Sequence, residues 1–198
     1  MTGKIILAAV AGIVLAGSGA GLASAQMMSG KSSESMAHTV MVGGAPMYPT
    51  KNIVQNAVNS KDHTTLVAAV KAAGLVDTLE GAGPFTVFAP TNAAFDKLPA
   101  GTVDTLVKPE NKATLTKILT YHVVPGRLSA QDLTAKARMG GGKAMLKTVE
   151  GEDLTVQVKN GAVWLIDAKG GMSRVTTADV NQSNGVIHVV DTVLMPAS

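Results

Sequence analysis

The chain has 198 residues, a formal charge of +3 and no cysteine, which excludes disulfides, thiolate catalysis and cysteine-ligated metal centres. Valine, leucine, isoleucine and phenylalanine supply 50 residues, about a quarter of the chain and above the roughly 20% below which disorder is expected. The basic residues form no run and only six residues are aromatic, so nucleic-acid binding is disfavoured. The length fits one domain and a short extra segment.

The first 25 residues have the pattern of a secretory signal. Lys4 precedes an apolar run from residue 5 to about residue 16, and Ala23-Ser24-Ala25 forms a small-residue cleavage site before Gln26. A membrane-spanning helix needs about 20 apolar residues, and glycines interrupt this run after roughly a dozen. We therefore expect cleavage after Ala25 and a periplasmic or extracellular location with no membrane span, and an uncleaved anchor is the alternative.

Residues 26–50 are predicted to form a flexible tail, because they show no periodicity and are rich in glycine, serine and methionine. Thioether and imidazole groups are ligands that suit Cu(I) outside the cytoplasm. The tail contains five methionines and one histidine: Met27, Met28, Met36, Met41, Met47 and His38. Copper binding is therefore one hypothesis for the tail, and an adaptable, oxidisable segment without a metal is the other.

Helices are predicted in the first half of the remaining chain. Apolar residues recur at helical spacing over 52–59 and over 64–73, where Gly74 provides the expected C-terminal cap. A third helix with one apolar stripe is predicted to begin at Pro109. Between these helices, the apolar run at 85–88 is too short for a helix and predicts a buried strand.

The second half of the chain predicts strands. Apolar and polar residues alternate over 154–158, Asn160-Gly161 has the composition of a two-residue turn, and 162–166 returns as the second strand of a hairpin. Two further strands are predicted over 175–180 and 186–190, and the last is apolar on both faces, as in a covered central strand. Helices followed by an antiparallel set of strands predict an α+β domain.

The sequence lacks the common catalytic motifs. It contains no phosphate-binding loop, no G-x-S-x-G elbow and no H-E-x-x-H motif. His122 and His188 each interrupt an apolar stripe, so they are either buried structural residues with hydrogen-bond partners or an acid and a base. Tyr121 needs a hydrogen-bond partner if it is buried, and Asp191 either caps a turn or orients a neighbouring side chain. No catalytic residue, cofactor or metal site is predicted.

Three sequence blocks resemble those of the fasciclin domain family, in matching order and spacing. The first is TVFAPTNAAF at 86–95, the second is the pair Tyr121-His122, and the third is NGVIHVVDTVLMP at 184–196. The motif positions in these blocks are Thr86, Phe88, Pro90, Thr91, Asn92, Phe95, Tyr121, His122, Asn184, Gly185, His188 and Asp191. The chain thus resembles a secreted bacterial protein with a single fasciclin-like domain, placed at residues 51–198.

The resemblance implies a wedge-shaped β-sandwich of two sheets packed with a cluster of N-terminal helices. It also implies a non-enzymatic role in cell adhesion or in contacts with extracellular matrix, surfaces or biofilm. The partner would be an extracellular or envelope protein or polysaccharide, and a single domain would bridge two surfaces only by self-association. Tyr121 and His122 match the motif tied to receptor binding in some animal members, which gives this pair either a structural or an adhesive role.

Two other functions are kept as alternatives to an interaction module. A periplasmic binding protein would hold a small apolar ligand in a cleft between sheet and helices, or copper on the methionine-rich tail. A hydrolase would use His122 or His188. The three hypotheses differ in where the protein acts: on its surface, in a cleft or tail, or at a buried histidine.

Overall fold

A computed structural model describes residues 39–197, and all of them fall within one compact unit. The predicted signal segment and residues 26–38 of the tail lie outside this described part. Its helices are α1 (Ile53–Ala57), α2 (Thr64–Ala73), α3 (Val76–Glu80), α4 (Asn92–Asp96), α5 (Thr102–Leu106), α6 (Lys112–Tyr121) and α7 (Ala130–Met139). Its strands are β1 (Val40–Val42), β2 (Ala45–Met47), β3 (Phe85–Pro90), β4 (Val123–Pro125), β5 (Lys143–Lys147), β6 (Asp153–Lys159), β7 (Ala162–Ile166), β8 (Met172–Gln182) and β9 (Gly185–Val190).

The helix predicted over 64–73 is confirmed as α2, with the same ends. Its buried residues follow helical spacing: Leu66, Ala69, Val70 and Ala73. Gly74 follows in the left-handed conformation, with φ of 72°, which a residue without a Cβ adopts at little cost. The helix predicted from Pro109 begins as a 3₁₀ turn over Pro109–Asn111 and continues as α6.

Part of the predicted flexible tail is structured, so that prediction is wrong for residues 40–47. Strands β1 and β2 pair as an antiparallel hairpin, with Gly43 and Gly44 at positive φ in the turn. Val42 and Met47 are only 7% and 3% exposed, and they belong to the same core as the helices. The hairpin therefore contributes to the domain, and the Met47 side chain is a core residue.

Seven strands form one hydrogen-bonded sheet in the order β4-β3-β9-β8-β7-β6-β5. Strand β3 pairs with β9 in parallel over six residue pairs, from Phe85 and Gly185 to Pro90 and Val190. The other pairs in this sheet are antiparallel. The predicted antiparallel set is therefore confirmed for the strands of the second half, β5 to β9. The parallel pairing of β9 with the earlier strand β3 is not predicted, because a pairing between such distant segments leaves no mark on the local sequence pattern.

The predicted hairpin and the predicted central strand are both confirmed. Strands β6 and β7 pair in antiparallel fashion, and Asn160 and Gly161 form the turn with φ of 53° and 74°. Strand β9 lies between β3 and β8, and all six of its residues are buried. The apolar character of both faces of β9 thus follows from cover on both sides.

The alternation of side chains along β3 and β9 creates two cores. On one side, strand residues cluster with residues of the helices, among them Val87, Ile187, Leu66 and Leu119. On the other side, Phe88 packs with residues of β6, β7 and α7, so the two halves of the sheet face each other. Strand β8 belongs to both halves, since its start pairs with β7 and its remainder with β9. A large sheet with helices in the N-terminal part confirms the predicted α+β class.

We expect Gly185→Ala to destabilise the fold strongly, because an added Cβ would lie 2.1 Å from the carbonyl oxygen of Phe85. Relieving this overlap separates β3 from β9 where their pairing starts, so the free energy of unfolding should fall by about 3 kcal/mol, the upper end of the usual cost of overpacking. Urea unfolding with an unchanged m-value measures this loss. Gly141→Ala is the control, because Gly141 has φ of 70° but no atom within 4 Å of its added Cβ, and it should cost only about 1–2 kcal/mol. Equal losses in the two variants would contradict the prediction.

Candidate functional site

The first and third sequence blocks lie side by side as the parallel pair β3 and β9. Phe88 is opposite His188 in the register, and their rings stack with centroids 5.7 Å apart. Both residues are fully buried. The two blocks therefore meet in the interior of the domain and present these side chains to the core between the two halves of the sheet.

His188 uses both ring nitrogens in hydrogen bonds to backbone groups. Nδ1 accepts from the Asp179 N–H at 3.3 Å, so the proton is on Nε2, which donates to the Leu128 carbonyl at 2.7 Å. Burial lowers the pKa of His188, although the Leu128 carbonyl opposes this change. Asp179 in turn accepts from the Ala130 N–H at 2.7 Å. The neutral imidazole thus joins β9 to β8 and to the segment that leads into α7.

His122 follows the last residue of α6 and is also fully occupied. Nε2 accepts from the Leu194 N–H at 3.0 Å, so Nδ1 carries the proton and donates to the Ile118 carbonyl at 2.8 Å. Burial lowers the pKa of His122 to about 4, because an uncompensated charge in this apolar surrounding is costly. His122 is therefore neutral near pH 7 and joins α6 to the C-terminal segment.

Tyr121, the neighbour of His122, is completely buried. Its hydroxyl donates to the Asp153 carbonyl at 3.0 Å and accepts from the Ala168 N–H at 3.1 Å. Burial raises the pKa of Tyr121 to about 12. Because Tyr121 and His122 are 0% and 2% exposed, neither side chain can contact a partner while the domain remains folded.

Asn184 connects β9 to two helices. Its side-chain oxygen accepts from the Ile53 N–H at 3.1 Å, and its amide donates to the carbonyls of Leu79 at 2.7 Å and Gly81 at 3.0 Å. The residue is buried, so these backbone groups have little access to water as a substitute. Asn184 thereby fixes the start of α1 and the end of α3 against the sheet.

The threonine and asparagine positions of the first block make similar connections. The Thr86 hydroxyl donates to the Gly126 carbonyl at 2.6 Å, and Thr91 caps α4 by accepting from the Ala94 N–H at 3.2 Å. Asn92 accepts from the Thr65 N–H at 3.0 Å and so joins α4 to the start of α2. The two remaining positions of this block are buried apolar residues, Pro90 and Phe95.

Asp191, at the end of β9, is partly exposed. Its carboxylate accepts from the Arg174 N–H at 2.9 Å and from the Thr192 hydroxyl at 3.0 Å. The Lys97 ammonium lies 3.9 Å away, with both side chains partly exposed, so this ion pair contributes little. Asp191 therefore orients the start of β8 relative to the end of β9.

His63 is a buried histidine that no apolar periodicity in the sequence identifies. Its Nδ1 lies 2.9 Å from the Ser60 hydroxyl, while Nε2 has no hydrogen-bond partner among residues 39–197. Burial lowers the pKa of His63. The residue lines a narrow, mostly apolar cavity of about 70 Å³ between the helices and the sheet. A histidine three residues after Ser60 is the only signal for this site in the sequence.

Residues 39–197 contain no group of three or more histidine, cysteine, aspartate or glutamate side chains that could hold a metal ion. They also contain no helix that is long and apolar enough to cross a bilayer. The copper hypothesis depends mainly on methionines 27, 28 and 36 and on His38, which lie outside the described residues.

These contacts define a class of protein: an α+β domain whose motif residues connect its own strands and helices. The family model of the Fasciclin domain matches residues 61–196. The chain therefore belongs to the fasciclin domain family, which confirms the resemblance found in the sequence. The family includes adhesion-related proteins.

Two relatives and one solved structure illustrate this relationship. Protein sll1483 of Synechocystis is 48% identical over 163 residues, which cover 82% of this chain and 83% of that protein. The cell surface glycolipoprotein MPB83 of Mycobacterium bovis is 40% identical over 145 residues, covering 71% of this chain and 58% of that protein. The FAS1 domain pair of the insect cell adhesion molecule fasciclin I matches with a TM-score of 0.65 and 20% identity, covering 73% of this chain and 51% of that one.

We expect Asn184→Ala to lower the free energy of unfolding by about 2–3 kcal/mol, because the buried hydrogen bonds to Ile53 and Leu79 and the partly buried one to Gly81 are lost at about 1 kcal/mol each. In Asn184→Asp, the carboxylate can still accept from the Ile53 N–H, but it would lie against the carbonyl oxygens of Leu79 and Gly81 and be repelled by them. The loss of stability should therefore be at least as large as in Asn184→Ala. Asn181→Ala, at an exposed position nearby, is the control and should change stability by less than about 0.5 kcal/mol. Urea unfolding measures all three variants, and a small loss in both Asn184 variants would contradict the prediction.

The stability of the domain should decrease on acidification, because His122 has a folded pKa of about 4 and an unfolded pKa of about 6.5. Between these values the unfolded chain binds more protons, so the free energy of unfolding falls as the pH falls. The contribution is complete above pH 6.5 and lost by pH 4, with a size on the order of 3 kcal/mol. The lowered pKa values of His188 and His63 act in the same direction.

The variant His122→Gln tests this assignment, because its amide oxygen can accept from the Leu194 N–H and does not titrate. Urea unfolding at pH 7 and pH 4.5 should show a loss on acidification that is about 2–3 kcal/mol smaller in the variant than in the wild type. An equal dependence on pH in both proteins would contradict the role assigned to His122.

Proposed function

We propose that the protein is a secreted, non-enzymatic interaction module that mediates adhesion or contacts with matrix, surfaces or biofilm. One observation carries this proposal: the polar groups of the buried motif residues are occupied by bonds to the protein's own backbone. Side chains bonded in this way stabilise the fold, so recognition of a partner falls to residues on the surface. The names of two similar proteins, a cell surface glycolipoprotein and a cell adhesion molecule, agree with a location outside the cytoplasm.

A hydrolytic function receives no support from the histidines. A general base needs a nitrogen within hydrogen-bond reach of the proton that it removes. In His122 and His188, one nitrogen already donates to a carbonyl and the other already accepts from a backbone N–H. Both rings are also buried, so a substrate would reach either one only after local unfolding.

The cavity beside His63 gives little support to a function in binding a small ligand. Its volume of about 70 Å³ is about half of the roughly 150 Å³ that holds a benzene molecule, and sites for larger ligands begin at about 300 Å³. A gap of this size between helices and sheet is consistent with imperfect core packing. We therefore favour a surface function over the periplasmic binding protein.

Deletion of the gene tests the proposed function. The deletion strain should attach less to surfaces or form less biofilm than its parent, and the wild-type gene should restore the phenotype. The control is the Gly185→Ala gene, which should restore less of the phenotype than the wild-type gene because its product is expected to be strongly destabilised. Unchanged attachment of the deletion strain on several types of surface would contradict an adhesive role.

A further inference from the structure

Strands β5, β6, β7 and the start of β8 have one side that faces away from both cores. Alternate residues such as Leu154, Val156 and Leu165 point into the core, so the residues between them point outward. Six residues of this outward side, which we call the basic sheet face, supply its cationic, amide and indole groups: Lys143, Lys147, Gln157, Lys159, Trp164 and Arg174. Asp153 and the exposed Met145 and Met172 lie on the same side. The four cationic residues are exposed, and Gln157 and Trp164 are partly buried.

The charge of the basic sheet face is strongly one-sided. Strands β5, β6 and β7 with Met172–Arg174 contain four cations and one carboxylate, Asp153. That excess of three positive charges equals the formal charge of the whole chain, +3. Asp153 lies 3.7 Å from Lys147, and the other three cations have no ion-pair partner within residues 39–197. The face is therefore an anion-attracting surface on an otherwise nearly balanced molecule.

Four side chains of this face form a straight row across the sheet. The register pairs Lys143 with Gln157, Gln157 with Trp164, and Trp164 with Arg174. Neighbouring strands are about 4.8 Å apart, so the row is about 14 Å long, enough for several linked sugar rings. A depression of about 410 Å³ adjoins the row beside Trp164 and is bordered by Lys159 and Arg174.

The residue types of the row suit a sugar chain that carries carboxylates. The flat indole of Trp164 can stack on the apolar face of a sugar ring, and the Gln157 amide can hydrogen-bond with hydroxyl groups. The planar guanidinium of Arg174 matches a carboxylate in a bidentate pair. Lysine is depleted where proteins bind each other, whereas tryptophan, arginine and methionine are enriched there, and this side carries Trp164, Arg174 and the exposed Met145 and Met172. Residue types alone therefore do not separate a protein from a sugar chain, and the excess of positive charge is what favours an anionic partner.

We propose that the basic sheet face binds an acidic polysaccharide, with Trp164 as the stacking platform and Arg174 as the carboxylate ligand. This inference rests on the proposed function and names its partner class. The residues that would recognise the partner are not motif residues, because none of the six belongs to the three sequence blocks.

The protein provides its own probe, because Trp164 is the only tryptophan in the chain. Titration of the purified protein with polygalacturonate should give a saturable change in tryptophan emission that weakens as salt is added. Neutral dextran should give no change. The double variant Lys159→Glu/Arg174→Gln keeps the probe and should bind at least about tenfold more weakly. Lys108→Glu, at an exposed position outside the face, is the control for reversal of one lysine charge and should bind within about twofold of the wild type.

Three results would overturn the inference: no response to polygalacturonate, equal weakening by Lys108→Glu, or equally tight binding of poly-L-glutamate, which would assign an acidic polypeptide instead. Urea unfolding of each variant shows whether a loss of binding reflects a loss of folding. If polygalacturonate does not bind but the deletion strain still attaches poorly, the polysaccharide inference fails and the adhesive function stands. If polygalacturonate binds and the deletion changes nothing, the binding site stands and the adhesive function fails.

Discussion

The parallel pairing of β3 with β9 is the interaction on which the rest of the fold depends. It joins two segments 100 residues apart in the register, so the chain must close a long loop before any contact across this pair can form. Each strand then supplies one face to the core under the helices and the other face to the core between the two halves of the sheet. Separation of the pair, as expected in Gly185→Ala, would therefore disturb both cores together.

Buried polar groups give this pairing its precise placement. His188, His122 and Asn184 each connect backbone groups of elements that are distant in sequence. A hydrogen bond of this kind contributes only about 1 kcal/mol, whereas an unmet buried group costs about 1–3 kcal/mol. The network therefore acts mainly against alternative packings, in which these groups would lose their partners. Burial lowers the pKa of His122 and of His188, and the neutral ring that results can accept from one backbone N–H and donate to one carbonyl.

The sequence predicts the elements whose signals are local and fails where long-range contacts decide. Helix α2 and the hairpin of β6 and β7 follow from apolar spacing and from turn residues, and both are confirmed. The parallel pairing of β3 and β9 has no local signal. Helix α7 was missed because only Leu133 and Ala137 of its ten residues are buried, although the capping box formed by Ser129 and Asp132 marks its start. In the candidate site, apolar surroundings indicated that His122 and His188 are buried, but their partners depend on tertiary structure.

Asp191 links the internal framework to the surface. Its carboxylate accepts from the Arg174 N–H, and its own N–H donates to the Arg174 carbonyl at 3.2 Å. The backbone of Arg174 is thus held by the end of β9, while its side chain extends into the basic sheet face. The neighbouring Ser173 is buried, and its hydroxyl donates to the Thr192 carbonyl at 2.8 Å. Because neighbouring residues of a strand point to opposite sides, this contact also directs Arg174 outward. A motif that contacts no ligand can therefore still determine where a ligand binds.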